Sequence, residues 1–340
     1  MATIGEIGEA ALIRIFAGGG ALPGPAVLAP NGDDAFAYLP SPGDAVVVTT
    51  DSLVERVHFV LDGPPRLCSR PEEVGRKLMR VNLSDLAAMG STPESVLLSV
   101  HAPLTLPVSV AEGLARGIFT EAEAHGVTIG GGNVARTDGP LVLVATLLGR
   151  ARPGELLLKS GAAAGDALFV TGTLGEARAG LLVAQDEREL SSLGIAPADA
   201  DQVLTRLKLG HEAVRAGVAL ARSGLVHAAA DISDGLGRDL RRMLDPVGLG
   251  ASIIRAGVPV SGAAARVAAA LGLDPVLLAL EGGEDYELLL AVPGERADEL
   301  RAVLDAVSVP CTQVGAVVAG GRFVLEGEAE LQAGFDHFAR

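Results

Sequence analysis

The chain has 340 residues, 49% of them hydrophobic but only 3% aromatic, with no Trp; such a length suits two domains, and Ala, Val and Leu must fill their cores. A formal net charge of −15 argues against nucleic acid as a partner, since that binding draws on Lys and Arg to neutralise phosphates. Cys68 and Cys311 make no metal spacing or disulfide framework, no basic stretch leads into an apolar one at the start, and the longest apolar run, around 141–148, is far below a membrane span, so a cytoplasmic protein without a membrane partner is expected.

In chain order, residues 5–16 carry apolar side chains at helical spacing and predict a short helix. Residues 17–30, rich in Gly, Pro and Ala, predict a loop. The β-branched run 45–50 predicts a buried strand, which places Asp51 at its carboxyl end. Residues 71–89 predict a helix with Pro71 in its first turn. A strand over 94–102, a helix over 108–124 and a short strand over 127–129 follow. That strand runs into Gly130-Gly131-Gly132, read as a turn, and another strand covers 141–148. Residues 151–165, with Arg152-Pro153-Gly154 and Lys159-Ser160-Gly161, mark a crossing between an N-terminal domain, 1–150, and a C-terminal domain, 151–340. Beyond it come a strand over 167–171, a helix from Glu176, a polar stretch over 186–201 and a helix over 205–223. A strand over 226–230 leads into Asp231, a helix covers 236–244, and strands cover 251–254 and 286–292. Strands and helices alternate throughout, which predicts an α/β fold.

Five acidic clusters punctuate this pattern: Asp33-Asp34, Asp51 after Thr49-Thr50, Asp85 within the 81–90 stretch, Asp231 with Asp234, and Glu284-Asp285 with Glu287. Almost no Lys or Arg lies inside them. Carboxylates at the ends of apolar segments repel unless a cation joins them. Mg²⁺ takes oxygen ligands from one or two carboxylates plus substrate phosphates, so the clusters point to a metal–nucleotide site drawn from distant parts of the chain. Each cluster also has a plainer reading. Asp33-Asp34 can be a solvated turn, Asp51 or Asp234 an N-cap, Asp85 a polar residue on an exposed helix face, and His58 a core histidine. The glycine run is neither a Walker loop nor a Rossmann fingerprint. No Ser–His–Asp or Cys–His arrangement is arguable, which leaves metal-supported phosphoryl transfer as the most economical chemistry.

With these clusters in this order, the chain closely resembles the thiamine-monophosphate kinase family. That family lies within the ATP-binding superfamily of aminoimidazole ribonucleotide synthetase and selenophosphate synthetase. The resemblance runs from Gly32-Asp33-Asp34 through Thr50-Asp51, His58-Phe59, the 81–90 block, Val170-Thr171-Gly172-Thr173, 231–236 and 282–288 to Gly334-Phe335-Asp336-His337-Phe338. It implies a two-domain α/β fold like that of aminoimidazole ribonucleotide synthetase, with mixed sheets covered by helices. The N-terminal domain would bind ATP and Mg²⁺, the C-terminal domain would complete the active site, and N-terminal sheets would pair across a homodimer. The implied reaction moves the γ-phosphoryl group of ATP to thiamine monophosphate, forming thiamine diphosphate. Asp34, Thr49, Thr50, Asp51, Asp85, Asp231 and Asp234 match metal-site positions. Gly131 and Gly132 match the nucleotide loop approximately, and Lys159 and Ser233 match nucleotide contacts. His58, Glu284 and Phe335 match substrate contacts. No catalytic side chain is implied, because the acceptor is a phosphate with a second pKa of ~6 and is largely anionic already at pH 7. Two departures stand out. Asn133 replaces the carboxylate of the family's nucleotide loop, and 207–212 replaces a basic, proline-containing segment. The missing loop carboxylate leaves room for a catalytically weakened nucleotide-binding relative, and another ATP-dependent synthetase or kinase of the superfamily is the other alternative.

Overall fold

The computed structural model describes residues 2–7, 9–16, 26–29 and 37–327, so Asp34 and Phe335 lie outside the described residues. Two compact units divide the chain: residues up to 86 with Thr92–Gly154, and Ala87–Ser91 with the chain from Glu155 onward.

In the first unit the elements are α1 (Ile4–Ile7), α2 (Glu9–Phe16), β1 (Ala26–Ala29), β2 (Ala37–Leu39), β3 (Ala45–Val54), α3 (Pro71–Ala88), β4 (Thr92–Ala102), α4 (Val108–His125), β5 (Thr128–Arg136) and β6 (Val142–Ala151). Among the described residues, β1 and β2 pair with each other, and a four-stranded sheet runs β3-β6-β4-β5. Its strands are antiparallel except for β4 and β5, which run parallel. Strand alternation sets the two faces apart. Leu143, Ala145 and Leu147 of β6 are buried, with Val96, Leu98 and Val100 of β4 beside them. Leu78 and Val81 of α3 and Leu114 and Ile118 of α4 are buried too. The helices approach closely because Gly75 and Gly117 have no Cβ; one built there would stand 2.1 Å from Leu114 O and 2.1 Å from Glu72 O respectively. On the opposite sheet face, Val46 is 43% and Val48 59% exposed on β3 among the described residues.

The second unit comprises β7 (Ala167–Thr171), α5 (Glu176–Gln185), α6 (Leu190–Leu193), α7 (Pro197–Leu209), α8 (Val214–Ser223), β8 (Ala228–Asp231), α9 (Leu236–Leu244), β9 (Leu249–Ile253), α10 (Gly262–Ala270), α11 (Pro275–Glu281), β10 (Leu288–Val292), α12 (Ala297–Asp305), β11 (Cys311–Ala319) and β12 (Phe323–Leu325). Its described sheet runs β12-β9-β11-β7-β10-β8, antiparallel throughout apart from the parallel β12–β9 pair. The central strands β7 and β10 are wholly buried, as near-continuous apolar runs should be when both faces are covered. Leu168, Val170 and Leu289 share a core with Leu236 and Leu240 of α9. Ala179, Val203 and Val267 knit α5, α7 and α10 into a second core.

Four sequence expectations change. Part of the stretch read as a loop over 17–30 is the strand β1. β3 does not stop at Thr50; its pairing with β6 continues from Asp51↔Ala145 to Val54↔Val142, so Asp51 sits within the strand. The glycine run is no turn, because parallel pairing with β4 carries β5 through Gly131↔Leu97 and Gly132↔Leu98. The helix over 205–223 is two helices, broken after α7 at Gly210, whose φ of 63° lies in the left-handed region that glycine enters freely.

Candidate active site

In the first unit the fold brings two of the acidic clusters together. Thr49, Asp51 and Leu53 pair with Leu147, Ala145 and Leu143, the buried side of β6, so all three belong to the face beneath the helices. There Thr49 Oγ1 donates to Asp85 Oδ2 of α3 at 2.5 Å. Asp51 is exposed on the same side. Thr50 belongs to the other face, where its hydroxyl donates to Ala145 O (3.1 Å) and lies 3.0 Å from Thr146 Oγ1. His58 sits in the turn after β3; its Nδ1 accepts from Val54 N–H at 3.0 Å. Lys77 of α3 donates to His58 O at 3.4 Å and is only 1% exposed. This lysine escaped the sequence reading, although it lies four and eight residues before Val81 and Asp85, on one helical stripe. Asn133 is exposed on the edge strand β5 and pairs with Ser99. Asp138, near it in sequence, forms an exposed ion pair with Arg136 at 2.6 Å.

In the second unit a second constellation forms around the end of β8. Asp231 closes that strand, 6% exposed and paired with Leu288. Glu284 N–H then donates to Ser233 O at 2.7 Å and Tyr286 N–H to Ile232 O at 2.8 Å. The fold thus lays Ser233 and Glu284 side by side. Glu284 and Tyr286 reach this arrangement with φ of 66° and 54°, left-handed values that cost a non-glycine residue of order 1 kcal/mol and cluster at functional sites. Asp234 is not the side-chain cap of α9. Instead Asp239 reaches back to accept from Asp234 N–H at 2.9 Å, while Arg242 bridges Asp234 (2.5 Å) and Asp239 (3.1 Å). Burial pushes the Asp239 carboxyl up, and Arg242 acts against that push. Lys159 is exposed, next to Leu158, whose carbonyl accepts from Ala229 N–H of β8 at 2.8 Å.

The Gly172–Gly175 turn joins β7 to α5. Asp285 Oδ1 accepts from Gly175 N–H at 2.9 Å, and Glu287 Oε2 accepts from Thr171 Oγ1 at 2.8 Å. At Gly172, φ is 55° and a Cβ would stand 2.2 Å from Glu287 Oε1, so no side chain fits. The two carboxylates of the 284–287 cluster that face inward therefore hold a turn, and only Glu284 is left at its rim.

The comparisons fit this geometry. Residues 32–151 match the family model for AIR synthase related protein, N-terminal domain, and 163–328 match that for the C-terminal domain. The thiamine-monophosphate kinase of Rhodopirellula baltica is 34% identical over 309 residues, 86% of this chain and 84% of its own. The chain belongs to the thiamine-monophosphate kinase family. Among solved structures, the family member from Stenotrophomonas maltophilia superposes with a TM-score of 0.77 at 32% identity, covering 89% of this chain and 92% of its own. AaThiL complexed with AMPPCP and TMP gives a TM-score of 0.75 at 28% identity, covering 98% of this chain and 97% of that one. The two-domain α/β architecture of mixed sheets under helices is that of the family. No single helix among the described residues is long and apolar enough to cross a membrane, and both Cys68 and Cys311 are free thiols.

Proposed function

We propose that this family member transfers the γ-phosphoryl group of ATP to thiamine monophosphate, forming thiamine diphosphate and ADP. The observation that carries the reading is the likeness to a relative complexed with AMPPCP and TMP, which extends over 98% of the chain. The donor set fits Mg²⁺: Thr49 and Asp85 oxygens lie 2.5 Å apart with Asp51 on the same face, all hard oxygen ligands. Asp51, Asp85 and Thr49 would hold metal in the first unit, and Asp231 in the second. Asp234 is already matched by Arg242 and would have to exchange that partner. Held by these residues, Mg²⁺ would supply charge screening between the two phosphates and offset the charge that develops on transfer.

The protein's own residues supply position. Thr49 fixes one oxygen of Asp85 and with it the orientation of that carboxylate. The Ser233–Glu284 hydrogen bond sets a carboxylate where a cationic thiazolium can pair with it. Lys159 offers an exposed positive charge to a nucleotide phosphate. The acceptor phosphate, largely dianionic above its second pKa of ~6, attacks without a protein base. The face of the first sheet on which Val46 and Val48 are exposed supports a homodimer built on that face, and the absence of a disulfide pairing supports work in the cytoplasm.

The test is chromatographic. The purified protein with ATP and Mg²⁺ is offered thiamine monophosphate, thiamine or an aminoimidazole precursor. Thiamine diphosphate formed only from the monophosphate is the expected result. Turnover of another acceptor with none of this one would sink the reading.

A further inference from the structure

Behind the Gly172–Gly175 turn lies a charge cluster that the reaction as described does not use. Glu176 of α5, Asp285 and Glu287 are 6%, 1% and 2% exposed. One guanidinium serves two of them directly. Arg206 of α7 places Nε 3.1 Å from Glu176 Oε2 and Nη2 3.5 Å from Glu287 Oε1. Gln202, one turn earlier on α7, donates to the other Glu176 oxygen at 2.5 Å. His211, in the break after Gly210, brings Nε2 to 3.4 Å from Glu287 Oε1. On its far side Glu287 holds Thr171, whose Oγ1 in turn accepts from Leu288 N–H at 2.8 Å. Two buried atoms, Arg206 Nη1 and Asp285 Oδ2, have no hydrogen-bond partner. Buried carboxylates are costly unless paired and hydrogen-bonded. A planar guanidinium can satisfy two at once, whereas an ammonium is a point charge.

We propose that Arg206 is a positioning residue for phosphoryl transfer: by clamping Glu176 and Glu287 together it fixes the Gly172–Gly175 turn against the segment that presents Glu284. The proposal rests on the kinase reading above for its activity assay, but its structural half does not. The charged and titratable groups facing Glu287 are Glu176 from α5, Arg206 from α7, His211 from the break after α7, and Asp285 from its own segment. Burial pushes the Glu287 carboxyl up to about 7, against the pull of Arg206, Thr171 and the Thr173 backbone. Removing the guanidinium raises it further. Protonation takes an acceptor from the turn, so activity should fall as pH drops through this range, and fall at higher pH once Arg206 is gone.

The experiment uses the full chain with Arg206→Gln, Arg206→Lys and Glu287→Gln. It measures kcat, KM and their pH dependence, thermal melting, and ¹³C-NMR titration of the glutamate carboxyls without substrate. Arg206→Gln should lower kcat about tenfold or more, since small misplacements of reacting groups are costly, with KM changed far less. Its acid limb should move to higher pH, and Arg206→Lys should recover part of both. A folded Arg206→Gln protein with the parental kcat and acid limb overturns the proposal. Should that variant fail to fold, Glu287→Gln decides: loss of the acid limb supports the clamp, and an unchanged limb overturns it. Should the parent protein not phosphorylate thiamine monophosphate, the kinase reading fails separately. The clamp is then judged by the NMR alone, where Arg206→Gln must shift the Glu287 titration upward, and an unshifted titration overturns it.

Discussion

Asp85 shows how one side chain joins two distant pieces of sequence. It stands on α3 and accepts from Thr49 on β3, and the same face of β3 carries a second carboxylate, Asp51. Replacing Asp85 or Asp51 by Asn keeps size and an acceptor oxygen but removes the charge that would hold a metal. Each variant should lose about 100-fold or more in turnover, the scale for losing a preorganised electrostatic group. Each should melt near the parental temperature and need more Mg²⁺ for half-maximal rate. Parental turnover in either folded variant would remove that residue from the ligand set. Thr50 gives an internal contrast, because its hydroxyl is committed to Ala145 and Thr146 on the opposite face. Thr50→Val should therefore cost far less turnover than Thr49→Val in the same assay.

Among the elements, the α3–α4 pair is joined by a carboxylate that could be lost to acid. Glu121 of α4 is 2% exposed and lies 2.6 Å from Arg76 Nε and 3.0 Å from Arg80 Nη2. Burial alone would raise its pKa, but hydrogen bonds to His125, Arg80 and Arg76 outweigh that and hold it at about 2. A carboxyl depressed on folding adds stability above its unfolded pKa, and the gain is lost as pH falls through the folded value. The contribution should thus be complete near neutrality and disappear between pH ~4.5 and ~2. Glu121→Gln should cost about 2 kcal/mol at pH 7 and approach the parent in acid. Melting curves across that range check it; a constant difference would show that packing, not charge, is at stake. The same helices were readable in the sequence because apolar spacing and Pro71 are local signals. Strand ends were not. Asp51 breaks the β-branched run of β3, and three glycines break that of β5, yet both strands continue because a partner strand supplies the hydrogen bonds. The split of α7 from α8 begins at the positive φ of Gly210 and runs through the non-helical residues up to Ala213. The candidate site divides likewise: Asp51, Asp85 and Glu284 stand out as charges in apolar or glycine-rich surroundings. Arg206 and Lys77 are ordinary helical residues until tertiary packing half-buries the first and seals in the second.

At the scale of the whole molecule, Val46 and Val48 remain exposed on β3, the edge strand of the first sheet among the described residues. Water-exposed valines on an edge strand invite pairing with another chain. Placing Glu at position 48 should turn a dimer into a monomer while leaving secondary structure intact, as light scattering and circular dichroism would show. A parent protein that is monomeric at micromolar concentration would refute the expectation directly. One further property follows from how Tyr286 is built into the fold. The chain has no Trp and only two tyrosines, Tyr38 and Tyr286, and Tyr286 is tied through its backbone to Ile232, next to Ser233 and Glu284. With Tyr38→Phe, all tyrosine emission would come from the segment that presents Glu284. In that variant a change in tyrosine emission on adding thiamine monophosphate is the expected sign of binding beside Glu284, and constant emission at saturating ligand would argue against it.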